Sequence, residues 1–235
     1  MKNFGNLFRI RLKVRFRELD FVFITFALPL LIVTMNSMVS QSGIEWFLPG
    51  GIAMVISVPS LLGCLTSMVS DKSRGMLKMM HIVPGSPVVY LLSEVLITLA
   101  FILTSTSILV GVSWLLGAKT VKFNVLFFIV TILLGSFAMM SFALIIASFI
   151  NNEKMANALS SVLGTALVAL SFPPAGMLPS ISKPFIYVLP TVPLSDILRE
   201  TLLGITSYGD NFINMVILII WIAIAIPVTK VFRWK

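Results

Sequence analysis

Six stretches of 18 to 29 residues, nearly free of charge and separated by short polar segments, dominate this 235-residue chain. A helix rises about 1.5 Å per residue, so roughly 20 apolar residues cross a hydrocarbon core of about 30 Å. Lipid offers no hydrogen bonds to the backbone, so segments of this length must satisfy their own amides as helices. The hydrophobic share is 58% and the charged share only 11%, which excludes an ordinary soluble domain. Mean hydropathy is +1.05, in keeping with a polytopic membrane protein. Six crossings leave no segment able to fold as a water-soluble catalytic domain.

The spans are predicted near Phe21 to Val39, Pro49 to Val69, Val88 to Leu116, Phe123 to Ile150, Met155 to Phe172 and Phe212 to Thr229. The residues before the first carry six basic groups and no small-residue cleavage motif, so that span is read as retained. Two domains follow: residues 1–20 as a cytoplasmic interfacial segment and 21–235 as the six-span unit. An even number of spans places both termini on one side. With the termini in the cytoplasm, thirteen of seventeen Lys and Arg residues lie inside, and only Lys119, Lys122, Lys183 and Arg199 lie outside. That is the asymmetry the positive-inside rule requires. The same placement accounts for the +8 net charge as membrane orientation and not as a nucleic-acid surface.

Three features depart from a plain bundle. The third span has 29 residues, about 43 Å as a helix, and must tilt or project beyond the core. The fifth ends early at Phe172, Pro173 and Pro174, because proline removes a donor and crowds the preceding turn. The outer segment 173–210 is long and apolar, with Ile181, Phe185, Leu194, Ile197, Leu198 and Leu202 among its residues. It is expected to dip into the outer leaflet or to form short helices.

Chemistry is limited by what is missing. His81 is the single histidine, so no histidine metal cage can form, and Cys64 is a lone cysteine within an apolar run. No GxxxxGK[ST] loop occurs, so any ATP and magnesium belong to another chain and this one binds no cofactor itself. Glu94 is the one carboxylate to note inside a span, seven residues after Pro87. It reads either as an ion pair with Lys72, Arg74 or a basic residue of the N-terminal segment, or as a proton-relay or substrate group.

The loop from Asp71 to Pro84 holds the densest pattern. As a helix it places Met76, Met79, Met80 and Val83 on one face and Arg74, Lys78 and His81 on another. An amphipathic helix of this kind packs on lipid or docks on a partner through its flexible methionines. In the N-terminal segment, Arg9, Arg11, Lys13, Arg15 and Arg17 alternate with Phe8, Ile10, Leu12, Val14 and Phe16, a period of two that suggests a strand. A lone strand at a membrane leaves its backbone unpaired, whereas a helix lets long basic side chains reach phosphates, so a helix is expected.

Several short motifs, in order, resemble the membrane-spanning subunit of an ABC exporter of the type-2 permease family. They are Leu48-Pro49-Gly50, the charged stretch ending in Gly75, Tyr90-Leu91-Leu92, Pro173 to Pro179, Leu189-Pro190, and Leu198-Arg199-Glu200 followed by Gly204. The resemblance implies an all-α fold with six transmembrane helices, an elbow helix on the inner leaflet, a cytoplasmic coupling helix at about 71–83 and an outer-leaflet re-entrant segment at about 173–210. It gives Asp71, Lys72, Arg74, Gly75, Met76, Lys78, Met79, Met80 and His81 the role of engaging a separate ATP-binding cassette ATPase. Ser73 and Met76 stand where the family more often has an acidic and a hydroxyl residue. The cavity of such transporters is lined chiefly by spans one, two and five, which makes Asn36, Ser57, Ser60, Asn157, Ser160 and Ser161 translocation-path candidates. Most other span hydroxyls are expected to bond their own or a neighbouring helix.

The function expected is therefore a non-catalytic permease of the plasma membrane. It would be paired with a second permease copy and an ATPase, and would export a drug, antimicrobial peptide or lipid-like cargo. The alternatives are an ATP-independent carrier or channel, which needs no ATPase, and an intramembrane enzyme, which needs a convergent ionisable set that the spans lack.

Overall fold

The computed structural model describes residues 2–39, 41–75, 87–117, 124–173, 186–204 and 211–231, and within these every regular element is a helix. Helix α1 (Lys2–Arg17) comes first. The first span is α2 (Leu19–Val22), a wide π turn π1 (Phe23–Ala27) and α3 (Leu28–Val39). The second is α4 (Gln41–Val58), π2 (Pro59–Leu65) and α5 (Thr66–Ser73). Then follow α6 (Pro87–Leu115), α7 (Val125–Phe149), α8 (Glu153–Ser171), α9 (Thr191–Leu203) and α10 (Asn211–Val231). Among the described residues, six helices are long and apolar enough to cross a membrane.

The local signals are legible. Asn124 and Asn152 cap α7 and α8, their side chains accepting from the amides of Phe127 and Lys154 at 3.3 and 2.9 Å. Helix α8 stops at Ser171, immediately before Phe172 and Pro173, as the prolines require. The N-terminal alternation resolves as the helix α1 and not as a strand. The second span begins earlier than Pro49. Its helix already runs at Gln41 and carries Pro49 inside, because one lost backbone bond is tolerated where neighbouring helices enclose the turn.

The second span is the axis of the bundle. Leu48, Ile52, Val55, Ile56, Leu61, Leu65 and Met68 are buried along it, packed against α3, α6, α7, α8 and α9. Small residues let the helices close. A Cβ on Gly50 would meet the Phe172 ring at 2.7 Å and the Ser171 carbonyl at 3.0 Å, so α4 lies against the broken end of α8. Both π turns present a backbone carbonyl to a donor from another helix. Ser105 Oγ donates to the Thr25 carbonyl at 2.7 Å, and Arg15 donates to the Gly63 carbonyl.

Helix α9 is the least ordinary element. It contains Ser195, Asp196, Arg199 and Thr201, yet Thr191 through Arg199 are all buried among α4, α7, α8 and α10. Leu194 reaches Gly135, the eleventh residue of α7, so α9 is enclosed within the bundle and does not sit on its rim. Arg199, counted from sequence as an external loop charge, is only 2% exposed. Its Nη2 donates to the Ser171 carbonyl at 3.1 Å and to that of Phe172, capping the carbonyls that α8 leaves open where it breaks. Gly204, with φ +66°, ends α9, its backbone N–H donating a hydrogen bond to the Glu200 carbonyl at 3.0 Å.

Candidate functional site

Charged side chains converge where α1, α5 and α6 meet. Arg11 and Arg15 lie one turn apart on α1, and Tyr90 and Glu94 lie one turn apart on α6, so two i,i+4 pairs face each other. Arg11 Nη1 donates to Glu94 Oε2 at 2.6 Å and Nη2 to Asp71 Oδ2 at 2.5 Å. Its guanidinium carbon stands 4.2 Å from the centre of the Tyr90 ring, and the Tyr90 hydroxyl donates to the same Asp71 oxygen at 2.7 Å. Arg15 donates to Glu94 Oε1 at 2.8 Å, to Glu18 at 3.0 Å and to the Gly63 carbonyl. Both oxygens of Glu94, a residue 2% exposed, are thus taken by α1.

The energetics follow from burial. Desolvation works against both guanidinium charges. At Arg11, Tyr90, Glu94 and Asp71 more than offset it, and at Arg15 Glu94 and Glu18 do, so both hold their protons above the ordinary arginine range. A buried pair of this kind contributes little net stability over an apolar replacement but is costly to break. The sequence reading named a basic residue of the N-terminal segment among the partners of Glu94, and Arg11 and Arg15 are those residues.

The same stretch of α5 is held on its other side. Lys72 Nζ donates to the carbonyls of Ser148 and Ile150, each at 3.3 Å, at the C-terminal end of α7, where a cation also suits the helix dipole. Ser70 Oγ donates to Glu153 at 3.1 Å, and Arg74 pairs with the same carboxylate at 3.2 Å. Glu153 occupies the first turn of α8, again favoured by the dipole. Asp71 therefore ties the end of the second span to α1 and α6 on one flank, while Lys72 ties it to α7, and Ser70 and Arg74 to α8, on the other.

The structure places the sequence candidates unevenly. Asp71 and Lys72 belong to the helix of the second span, which extends to Ser73. Arg74 is its cap, and Gly75, at φ +69°, takes the left-handed conformation that ends it. The helix expected from Asp71 therefore does not run unbroken through Gly75, since that residue turns the chain. Met76, Lys78, Met79, Met80 and His81 lie outside the described residues. Of the path candidates, Ser57, Ser60 and Ser160 are fully buried and bond their own helix at the carbonyls of Ala53, Ile56 and Ala156. Asn36 is half-buried and donates to the Ile32 carbonyl at 2.7 Å. Asn157 and Ser161 are exposed, one turn apart on α8, and Thr165 continues that edge.

Tyr90, Gly63 and Arg199 were not read from sequence as parts of a charged site. The i,i+4 spacing of Tyr90 and Glu94 and of Arg11 and Arg15 is visible in the sequence, but nothing local says that the two pairs meet. The Gly63 carbonyl had no signal, because the wide turn that presents it is not encoded by a distinctive residue pattern.

Six membrane-length helices with a charged cluster gathered around the end of the second span define a multi-pass helical membrane protein. The family model for ABC-2 family transporter protein matches residues 32–229, and the chain belongs to that family. It is accordingly the membrane subunit of an ABC transporter. Such subunits are generally non-catalytic, and membership implies an ABC ATPase partner. No curated protein matches the chain.

Proposed function

We propose that the chain is the permease half of an exporter, in which a separate ATPase drives the segment beginning at Gly75 and two copies enclose the cargo path. The observation that carries this reading is the double tie at Asp71 and Lys72, since a displacement of the segment there reaches α1, α6 and α7 at once, with Ser70 and Arg74 adding α8. A contiguous, packed link of this kind is suited to carry a two-state rigid-body change. The basic end of the bundle, with α1, Lys72, Arg74 and Lys154, is the cytoplasmic one by charge. The exposed polar edge of α8, at Asn157, Ser161 and Thr165, suits a surface shared with a second copy. The enclosed α9 suits a segment re-entering from the outer side. Weakly charged spans with many hydroxyls suit a hydrophobic or amphipathic cargo.

Reconstitution with and without a candidate ATPase tests the proposal. Export of an amphipathic dye is expected only with the ATPase and ATP, and undiminished flux in its absence would reject the mechanism. A narrower prediction concerns Gly75→Val. Among the described residues a Cβ there meets nothing within 4 Å, so the expected cost is that of a left-handed backbone, about 1–2 kcal/mol. Insertion and melting temperature should change little, while permease-stimulated ATP hydrolysis and export fall together. Full stimulation in this variant would count against a coupling role for the turn.

A further inference from the structure

The five basic residues of the N-terminal alternation divide into two sets once α1 forms. Arg11 and Arg15 face the bundle and are consumed by Glu94, Asp71 and Glu18. Arg9, Lys13 and Arg17 are spaced i, i+4, i+8, lie on the opposite side of the helix and are exposed. They form one cationic stripe rising about 12 Å along the axis.

The flank of that stripe is apolar. Ile10 and Val14 are 65% and 52% exposed, and the same kind of surface continues past the end of α1 into exposed Leu19 and Phe23 of the first span. Arg17 is therefore two residues from the point where the apolar span begins. A helix placed there has its charges at the depth of the phosphates and its apolar flank at the depth of the first methylenes.

We infer that Arg9, Lys13 and Arg17 form a binding surface for the headgroups of anionic phospholipids in the leaflet at the basic end of the bundle. Charge complementarity selects this occupant. The stripe presents three cations; Glu94 and Asp71 are engaged by Arg11 on the far face and Glu18 by Arg15, so exposed Asp20, three residues after Arg17, offsets at most one of the three charges. A neutral lipid satisfies the apolar flank equally well but leaves the cations without counter-charge. The function is to hold α1 at the surface, so that the ion pairs on its other face stay aligned with α5 and α6. The inference rests on the reading of α1 as an interfacial helix beside the first span, and it does not require ATP-driven transport.

The test uses the full chain, without ATPase, in phosphatidylcholine vesicles. Val14→Cys carries a fluorophore in a Cys64→Ala background, which leaves one labelling site because Cys64 is the only cysteine. Quenching by spin-labelled phosphatidylglycerol is compared with quenching by spin-labelled phosphatidylcholine at equal mole fraction. The expected result is a preference for the anionic lipid of about fivefold or more, the equivalent of one basic residue near a charged surface. It should fall to near unity in the R9Q/K13Q/R17Q variant and weaken in high salt. Equal quenching by both lipids in the parent, or a preference that survives the triple substitution, overturns the inference. Quenching by neither lipid shows instead that α1 does not lie at the membrane, and so fails the underlying reading. A triple variant that keeps its lipid preference but no longer co-purifies with an ATPase also overturns it, and makes the stripe a protein-docking surface.

Discussion

Replacing Glu94 by alanine is expected to destabilise the protein by about 3–5 kcal/mol, the usual cost of removing one partner from a buried ionic cluster. The loss is large because Glu94 serves both arginines of α1. Without it, Arg11 keeps Asp71 and Arg15 keeps Glu18 and the Gly63 carbonyl, but the buried Arg15 and half-buried Arg11 lose the carboxylate they share and are left with too little negative charge beside them. Glu94→Gln should fall between alanine and the parent, since the amide still accepts one bond. Arg74→Ala is the control: that pair with Glu153 is mostly exposed, and its loss should cost no more than about 1 kcal/mol. Thermal unfolding of the detergent-purified variants gives the order directly. A Glu94→Ala protein melting with the parent would mean that α1 is not held by this cluster.

A second large effect is expected at Gly135. A Cβ there would lie 2.4 and 2.8 Å from the two methyl carbons of Leu194, both inside the core. Gly135→Ala should cost about 1–3 kcal/mol as overpacking, and Gly135→Val more. Leu194→Ala alone opens a cavity worth about 2–5 kcal/mol. The combination Gly135→Ala with Leu194→Ala should be less damaging than the sum, with a favourable coupling of about 1–3 kcal/mol, because the new methyl occupies part of the space that leucine vacates. Strict additivity in the same melting assay would show that α9 does not seat against the middle of α7.

The spans were legible because run length is a direct physical requirement of the hydrocarbon core, and their observed limits differ from the expected ones mainly at Pro49. The early end of the fifth span followed from Phe172-Pro173-Pro174, whereas the turn at Gly75 was missed, because the face pattern from Asp71 onward reads as one helix until the left-handed φ of Gly75 is known. What could not be read was pairing at a distance. Glu94 and Arg11 are separated by 83 positions, and no local pattern states which of several basic residues turns toward the carboxylate. Nor did the alternation of α1 disclose that its basic residues separate into an inward pair and an outward three, since a period of two becomes a division between faces only after the chain coils. Helix α9 misled for a related reason. Its leucines and isoleucines signalled a short apolar helix, but Arg199 was counted as an outside charge, because a charge is read as exposed until the carbonyls that receive it are known. Here those carbonyls come from the broken end of α8, 27 and 28 positions earlier.

The wide turn π2 sets the azimuth of everything beyond it. One residue more than a regular turn advances the helix by about 100°, so the stretch from Thr66 to Ser73 is rotated by that angle relative to a straight continuation of α4. Asp71 and Lys72 look in different directions, and only one setting of that dial lets the carboxylate meet one neighbour while the ammonium meets the opposite one. Straightening the turn would swing both away together, so a local change of winding deep in the second span can disengage two distant handholds at a single stroke.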